Sequence, residues 1–280
     1  MGRQSNASHT GPGRAVPGLI TSRDNPVLKE LSRLLTDASY RRESGLFALE
    51  GARLCADAAA SGVEIRTVLY TARAREAYEP YLRPLLAACS DCREIDAALA
   101  VRFSDTKAPQ GIFCICQRLD NRLPLGKIKR NGRYLLLEDV QDPGNLGTIV
   151  RTAEAFGIDG LFLTPGCCDL YNPKVLRGSM GGVFRLPAAR TEDLPALLVS
   201  LKDAGLSCFA CVAENGAQPV QNAELGAGAV CLIGNEGAGL RPETVAACGR
   251  RITIPMSGRA ESLNASIAAS IVLWEMTRSG

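Results

Sequence analysis

The sequence predicts an α/β protein in two parts: a smaller mixed α/β domain in front, and behind it a mainly parallel sheet covered by helices on both faces. Three observations carry that expectation. From Arg133 onward short apolar runs alternate with helical repeats, the pattern of parallel strands joined by crossover helices. The stretch 121–132 collects Pro124, Gly126, Asn131 and Gly132 with four basic residues, and reads as a linker. The chain of 280 residues, 46% of them hydrophobic, is long enough for two cores.

In chain order, residues 1–18 are rich in Gly, Ser, Pro and Asn and read as a disordered tail. Asn25-Pro26 opens a helix with Val27, Leu28, Leu31, Leu34 and Leu35 on one face. A strand is expected at 46–49, a helix at 50–60 closing near Gly62, a strand at 63–70, a helix at 75–89 and a strand at 112–116. Residues 19–120 thus form the front domain and 133–280 the rear one. In the rear domain strands are expected at 134–138, 160–164, 207–212, 229–233 and 251–254. Helices are expected near 145–156, 173–180, 192–204, 239–247 and 263–277.

Composition excludes several chemistries. The only histidine, His9, lies in the tail, so Ser-His-Asp and Cys-His hydrolases and histidine-bound metals are ruled out. The 11 cysteines are scattered, with isolated C-x-x-C pairs at Cys89/Cys92 and Cys208/Cys211; buried reduced thiols, not a metal centre, are the expectation. No apolar run approaches the ~18 residues that span a bilayer, and the polar first residues do not form a signal peptide. A soluble cytoplasmic protein is expected. Residues 1–132 carry twenty basic against fourteen acidic side chains, and residues 133–280 twelve against fifteen. A basic front half suits a polyanionic partner.

The most informative stretch is Asp139-Val-Gln-Asp-Pro-Gly-Asn-Leu-Gly-Thr-Ile-Val-Arg151. An apolar strand leads into the Asp142-Pro143-Gly144 turn, with Asn145 as the expected N-cap of a helix ended by Gly157. Arg151 lies one turn past Gly147, and helical side chains lean toward the N-terminus. Its guanidinium is expected to extend over the bare glycine toward a helix mouth suited to phosphate. Each residue also has a plainer reading: Asn145 only a cap, Gly147 a packing glycine, Arg151 a solvated helix residue. Two further loops follow expected strands, Gly234–Gly239 and Pro255–Asn264, where ligands bind in open α/β sheets. No G-x-G-x-x-G follows the first strand of the rear domain, and one glycine-rich loop alone is weak evidence.

Together the loops carry a resemblance. Asn145-x-Gly147-x-x-x-Arg151-Thr-Ala, Leu232-Ile-Gly-Asn-Glu-Gly-Ala-Gly-Leu240 and Ile254-Pro-Met-Ser-Gly-Arg-Ala-Glu-Ser-Leu-Asn-Ala-Ser266 resemble, in order, the three motifs of the SpoU/TrmH family of RNA ribose 2′-O-methyltransferases, in the SPOUT superfamily. Lys174–Phe184 resembles the family's helix-and-turn between them, and Tyr40–Gly51 is similar to its ribosomal-protein-like α/β substrate-binding domain. The resemblance implies a trefoil-knotted catalytic domain, S-adenosylmethionine bound in the knot, and a homodimer whose interface lies beside the site.

It implies roles for single residues as well. Gly234, Asn235, Gly237 and Gly239, with Ile254, Met256, Ser262, Leu263 and Asn264, are expected around the cofactor, the glycines allowing close approach and Ile254 and Met256 supplying apolar walls. Arg151 is expected at the ribose hydroxyl, supported by Asn145 and Glu236. Glu236, Ser262 and Asn264 serve equally as helix caps. An arginine with pKa above ~12 is a poor base, so a role in fixing phosphate and stabilising alkoxide charge is preferred. Arg33, Arg41, Arg42 and Arg53 are the expected RNA contacts. The implied activity is methylation of structured RNA, ribosomal before transfer RNA. An antibiotic-resistance methylation is a narrower variant, and a non-catalytic RNA-binding or assembly protein is the alternative class.

Overall fold

The structure, a computed structural model, describes residues 18–119, 123–214 and 216–278. The expected tail up to residue 17, with His9, residue 120 at the end of the expected front domain and residues 121–122 at the start of the expected linker lie outside them.

The front of the chain folds as α1 (Pro26–Thr36), α2 (Ala38–Ser44), β1 (Leu46–Glu50), α3 (Ala52–Ala60), β2 (Ile65–Tyr70), α4 (Ala72–Ala77), α5 (Glu79–Ala88), β3 (Asp91–Glu94), α6 (Ala97–Phe103) and β4 (Ile112–Gln117). Its four strands lie in the order β1-β4-β2-β3. β4 runs antiparallel to both neighbours, while β3 joins β2 in parallel. Asn25 caps α1 by accepting from the Val27 N–H at 3.0 Å, with Pro26 pre-set for the first turn.

Three expectations are corrected here. The helix expected at 50–60 starts only at Ala52, because Gly51 (φ 106) is in a non-helical conformation. The single helix expected at 75–89 is two helices that break at Tyr78, with Pro80 restarting the second. β3 and α6 were not anticipated: Asp-Cys-Arg-Glu has no apolar alternation, and β3 is an edge strand paired only to β2.

The rear of the chain folds as β5 (Arg133–Leu137), α7 (Pro143–Ala155), β6 (Gly160–Leu163), α8 (Pro173–Ser179), α9 (Gly182–Arg185), β7 (Ala188–Arg190), α10 (Leu194–Asp203), β8 (Ser207–Cys211), β9 (Gln218–Pro219), β10 (Ala229–Ile233), α11 (Pro242–Cys248), β11 (Arg250–Thr253) and α12 (Ala265–Arg278). Its seven strands are all parallel, in the order β7-β6-β5-β10-β8-β11-β9. Successive strand residues point to opposite faces. Leu135, Leu137, Cys231 and Ile233 pack under α7, α8 and α12, whereas Tyr134, Leu136, Val230 and Leu232 pack under α10 and α11. Burial on both faces is why these strands read as continuous apolar runs.

The two sheets share one apolar cluster. Phe47 of β1 packs against Tyr171, the rings tilted at 43° with centroids 4.7 Å apart, and approaches Phe184 at 6.3 Å. Beside it Arg41, 2% exposed, donates to Asp169 at 2.7 Å and to the Leu34 carbonyl at 2.8 Å.

α7 and α8 meet backbone to backbone. A Cβ at Gly147 would stand 3.0 Å from both the Gly178 Cα and the Val175 carbonyl oxygen. Gly147 is thus a close-approach residue facing α8, and it does not form the bare floor expected beneath Arg151. Gly147→Ala is expected to push the helices apart and cost about 1–3 kcal/mol, read as a fall in melting temperature. An unchanged melting temperature would refute that close contact.

Candidate active site

At the carboxyl edge of the second sheet, the chain after β5, β10 and β11 forms the site. α7 begins one turn earlier than expected. Pro143 takes the first helical position and Asp142 is the N-cap, accepting from the Asn145 N–H at 2.8 Å. Asn145 therefore sits inside the first turn, buried, with its side-chain amide free for other work. It donates to Glu236 Oε1 at 3.0 Å and accepts from Asn264 Nδ2 at 2.9 Å. One amide thus joins all three loops.

Glu236 also accepts from the N–H groups of Gln141 and Asp142, at 3.3 and 3.1 Å. The positive mouth of α7 is filled by the protein's own carboxylates, Asp142 and Glu236, so it is not the open phosphate seat that its position implied. Partial burial pushes the Glu236 carboxyl up, but the hydrogen bonds from Asn145 and the backbone outweigh this and hold it below its ordinary value. It stays anionic at neutral pH. Glu236 also does not cap the helix after it: α11 starts at Pro242, with Arg241 as its N-cap.

The 234–239 loop is locked on itself. Asn235 and Gly239 exchange backbone hydrogen bonds at 3.0 Å, while Asn235 Oδ1 accepts from the Gly237 and Ala238 N–H groups. Asn235 Nδ2 donates to the Asp139 carbonyl at 2.8 Å. Asp139 holds a left-handed backbone (φ 56), tied down by the Thr164 hydroxyl. Glu138, 1% exposed, accepts from the Arg241 N–H at 2.9 Å and the Thr244 hydroxyl at 2.7 Å, and pairs with the Arg241 guanidinium. Sequence reasoning missed Glu138, Asp139, Thr164 and Arg241. The available signal was an acidic pair directly after an apolar strand, where a buried carboxylate needs partners.

Above these loops opens a cavity of about 720 Å³. Gly234, Asn235, Gly237, Gly239, Ile254, Met256, Ser262 and Leu263 all line it, together with Glu236. Asn264 is not among the lining residues; besides Asn145 it serves Ser266, whose N–H and hydroxyl it accepts at 2.9 and 2.7 Å, at the start of α12. Ile233, Leu240 and Val245 add apolar wall, and an exposed Glu214–Arg251 pair (3.0 Å) stands among the lining residues. Cys211 is also on the wall, but burial pushes its thiol up to about 11, so it offers no thiolate.

Arg151 projects from α7 into solvent and forms no ion pair among the described residues. The expected RNA contacts separate. Arg33 is exposed with its guanidinium 3.6 Å over the Tyr40 ring, Arg42 is exposed and donates to Ser39, and Arg53 is exposed near the junction of the two sheets. Arg41 is buried away from any phosphate, its Nε donating to Asp169 and its Nη1 to the Leu34 carbonyl. Among the described residues no group of three or more His, Cys, Asp or Glu side chains could hold a metal ion. None of the described helices is long and apolar enough to cross a membrane.

A helix-covered parallel sheet with a deep, glycine-walled cavity at its carboxyl edge defines a cofactor-binding α/β enzyme. Residues 132–274 match the SpoU rRNA Methylase family, and residues 25–114 match the MRM3-like substrate binding domain. The chain is 33% identical over 261 residues to an uncharacterized tRNA/rRNA methyltransferase of Synechocystis sp., covering 92% of this chain and 93% of the relative. It is 30% identical over 257 residues to the 23S rRNA (guanosine(2553)-2′-O)-methyltransferase of Bacillus subtilis, covering 92% and 98%. Among solved structures, an AdoMet-bound rRNA methyltransferase from Sinorhizobium meliloti superimposes with a TM-score of 0.81 at 32% identity, over 93% of this chain and 97% of that one. The chain belongs to the SpoU rRNA methylase family.

Proposed function

We infer that this protein transfers a methyl group from S-adenosylmethionine to a ribose 2′-hydroxyl of structured RNA, with ribosomal RNA as the substrate class. The observation that carries the reading is the Glu236–Asn145–Asn264 chain of hydrogen bonds, which ties the first motif of a SpoU-family chain to the two motifs that line one cavity. The relatives named as 2′-O-methyltransferases of 23S rRNA and the AdoMet-bound structural neighbours support it.

The residues present fit the cofactor. Gly237 and Gly239 bring bare backbone to the cavity, whereas Gly234 packs on the loop's own backbone, and Ile254, Leu240 and Val245 give the apolar surface that a nucleoside needs. S-adenosylmethionine, when bound, supplies a methyl already activated on a sulfonium, and no metal is required. The chain's own part is alignment. Asn145, held from both sides, fixes the first turn of α7, and α7 carries Arg151. The Arg151 guanidinium, free of ion pairs among the described residues, engages the phosphate next to the target ribose and stabilises charge developing on the hydroxyl oxygen.

In this reading residues 19–120 present the RNA and 133–280 carry out methylation in the cytoplasm, as a homodimer. The exposed Ile267 and Trp274 of α12, with Phe156 of α7 against the Trp274 ring at 5.9 Å, support a second copy on that face. The knotted path belongs to the same reading. It is supported by the place of β10 between β5 and β8 and by the return of the last loop to Asn145.

Labelled methyl transfer from S-adenosylmethionine to total RNA from cells lacking the gene, followed by nucleoside analysis, tests the reading. Label in a 2′-O-methylnucleoside is expected. Cofactor binding with no transfer to any RNA, ribosomal particles included, would overturn it.

A further inference from the structure

A second, smaller cleft of about 260 Å³ lies at the junction of the two sheets. We propose that this cleft, walled by Leu54, Gln110, Arg177 and Met180, binds one unstacked nucleobase of the RNA, beside the nucleotide that Arg151 engages. The proposal rests on the reading of the chain as an RNA ribose methyltransferase.

Position comes first. The lip of the cleft is the Met180–Gly182 turn between α8 and α9. A Cβ at Gly182 would stand 3.2 Å from the Val150 carbonyl oxygen and 3.5 Å from the Arg151 Cα, so this turn rests directly on the arginine's backbone. From the other side Asp57 of α3 fills the space where a Gly181 side chain would stand. Arg185 pins the turn by donating to Asp57 at 3.0 and 3.1 Å, to Glu154 of α7 at 2.7 Å and to the Met180 carbonyl at 3.3 Å.

The chemistry of the walls selects the ligand. The carboxylates are already occupied: both Asp57 oxygens accept from Arg185, and Glu50 accepts from Ser104, Thr106 and the Asp105 N–H. Arg177 donates through Nη2 to Asp105 at 2.8 Å, while its buried Nη1 stands 3.9 Å from Glu50 and has no hydrogen-bond partner among the described residues. The wall therefore keeps one cationic donor without a hydrogen-bond partner among the described residues, the Arg177 Nη1, which can meet an acceptor on a ring edge. Gln110 accepts from the Ala52 N–H through Oε1 at 2.7 Å, which fixes its amide, and its NH₂ has no partner among the described residues. A fixed pair of donors beside the apolar Leu54 and a thioether suits a flat ring with acceptors on its edge. Met180 holds a left-handed backbone (φ 49) that L side chains adopt at a cost, and the residue is 44% exposed. A stacked base would cover it.

Two full-length variants test this by equilibrium binding of unmodified, in vitro transcribed 23S ribosomal RNA. Gln110→Glu keeps the acceptor for Ala52 and removes the donors; Met180→Gly removes the thioether and relieves the backbone. Each is expected to weaken RNA binding about tenfold, with S-adenosylmethionine affinity and melting temperature as in the parent chain. For Met180→Gly the salt dependence should stay unchanged, because no phosphate contact is lost. RNA affinity within twofold of the parent in both variants, or a flatter salt dependence for Met180→Gly, would overturn the proposal. A parent chain that binds this RNA but methylates none would strike the functional reading alone, since the cleft is scored on binding.

Discussion

Arg151→Ala is expected to lower methyl transfer by about two to three orders of magnitude while leaving S-adenosylmethionine affinity within a few-fold. The arginine stands on α7, outside the residues that line the large cavity, and no described carboxylate pairs with it. Its removal therefore neither opens the cofactor wall nor strands a buried charge. In the proposed mechanism, what is lost is the planar donor fork that meets the ribose and its phosphate. Arg151→Lys keeps the charge without the fork and should recover only part of the rate. Single-turnover transfer to RNA, with cofactor affinity measured by calorimetry, separates the two quantities. Near-normal turnover in Arg151→Ala would remove it from the chemistry.

The second large effect is expected from one methyl group. A Cβ at Gly234 would lie 2.1–2.3 Å from the backbone of Gly239 and Leu240. No flexible side chain stands there to yield, so the loop itself must open. Gly234→Ala should weaken S-adenosylmethionine binding about tenfold to a hundredfold, as overpacking of ~1–3 kcal/mol implies. Gly237 is the matched control. A Cβ there meets only Asn235 Oδ1, at an ordinary 3.7 Å, so Gly237→Ala leaves the loop standing. Equal affinities and melting temperatures for Gly234→Ala and the parent would show that the loop does not shape the cavity.

What the sequence disclosed, and what it hid, follows from how far apart the interacting residues lie. Strands β5, β6, β8 and β10 were legible because burial on two faces writes an apolar run into each. The three loops were legible because their glycines and asparagines follow those runs directly. β3 was hidden because a polar edge strand carries no pattern of its own. The start of α7 was misplaced by a local preference: Asn145 is a good cap by type, yet Pro143 already fixed the first helical position and left the cap to Asp142. Arg41 was misread for the opposite reason. Its partner, Asp169, lies 128 residues on, and no local pattern announces a pair that distant. The same holds for Gly147, whose neighbour Gly178 belongs to another helix.

The packing of Phe47 against Tyr171 and the buried Arg41–Asp169 pair have an energetic consequence beyond holding two sheets together. Either half alone would expose the surface that Phe47 and Phe184 now bury, ~1.5–3 kcal/mol for each, and would return Arg41 and Asp169 to water. That is a large fraction of the whole stability of an ordinary domain. The halves are therefore separate in sequence and in hydrogen-bonded sheets but not in free energy, and heat should melt them in one cooperative transition.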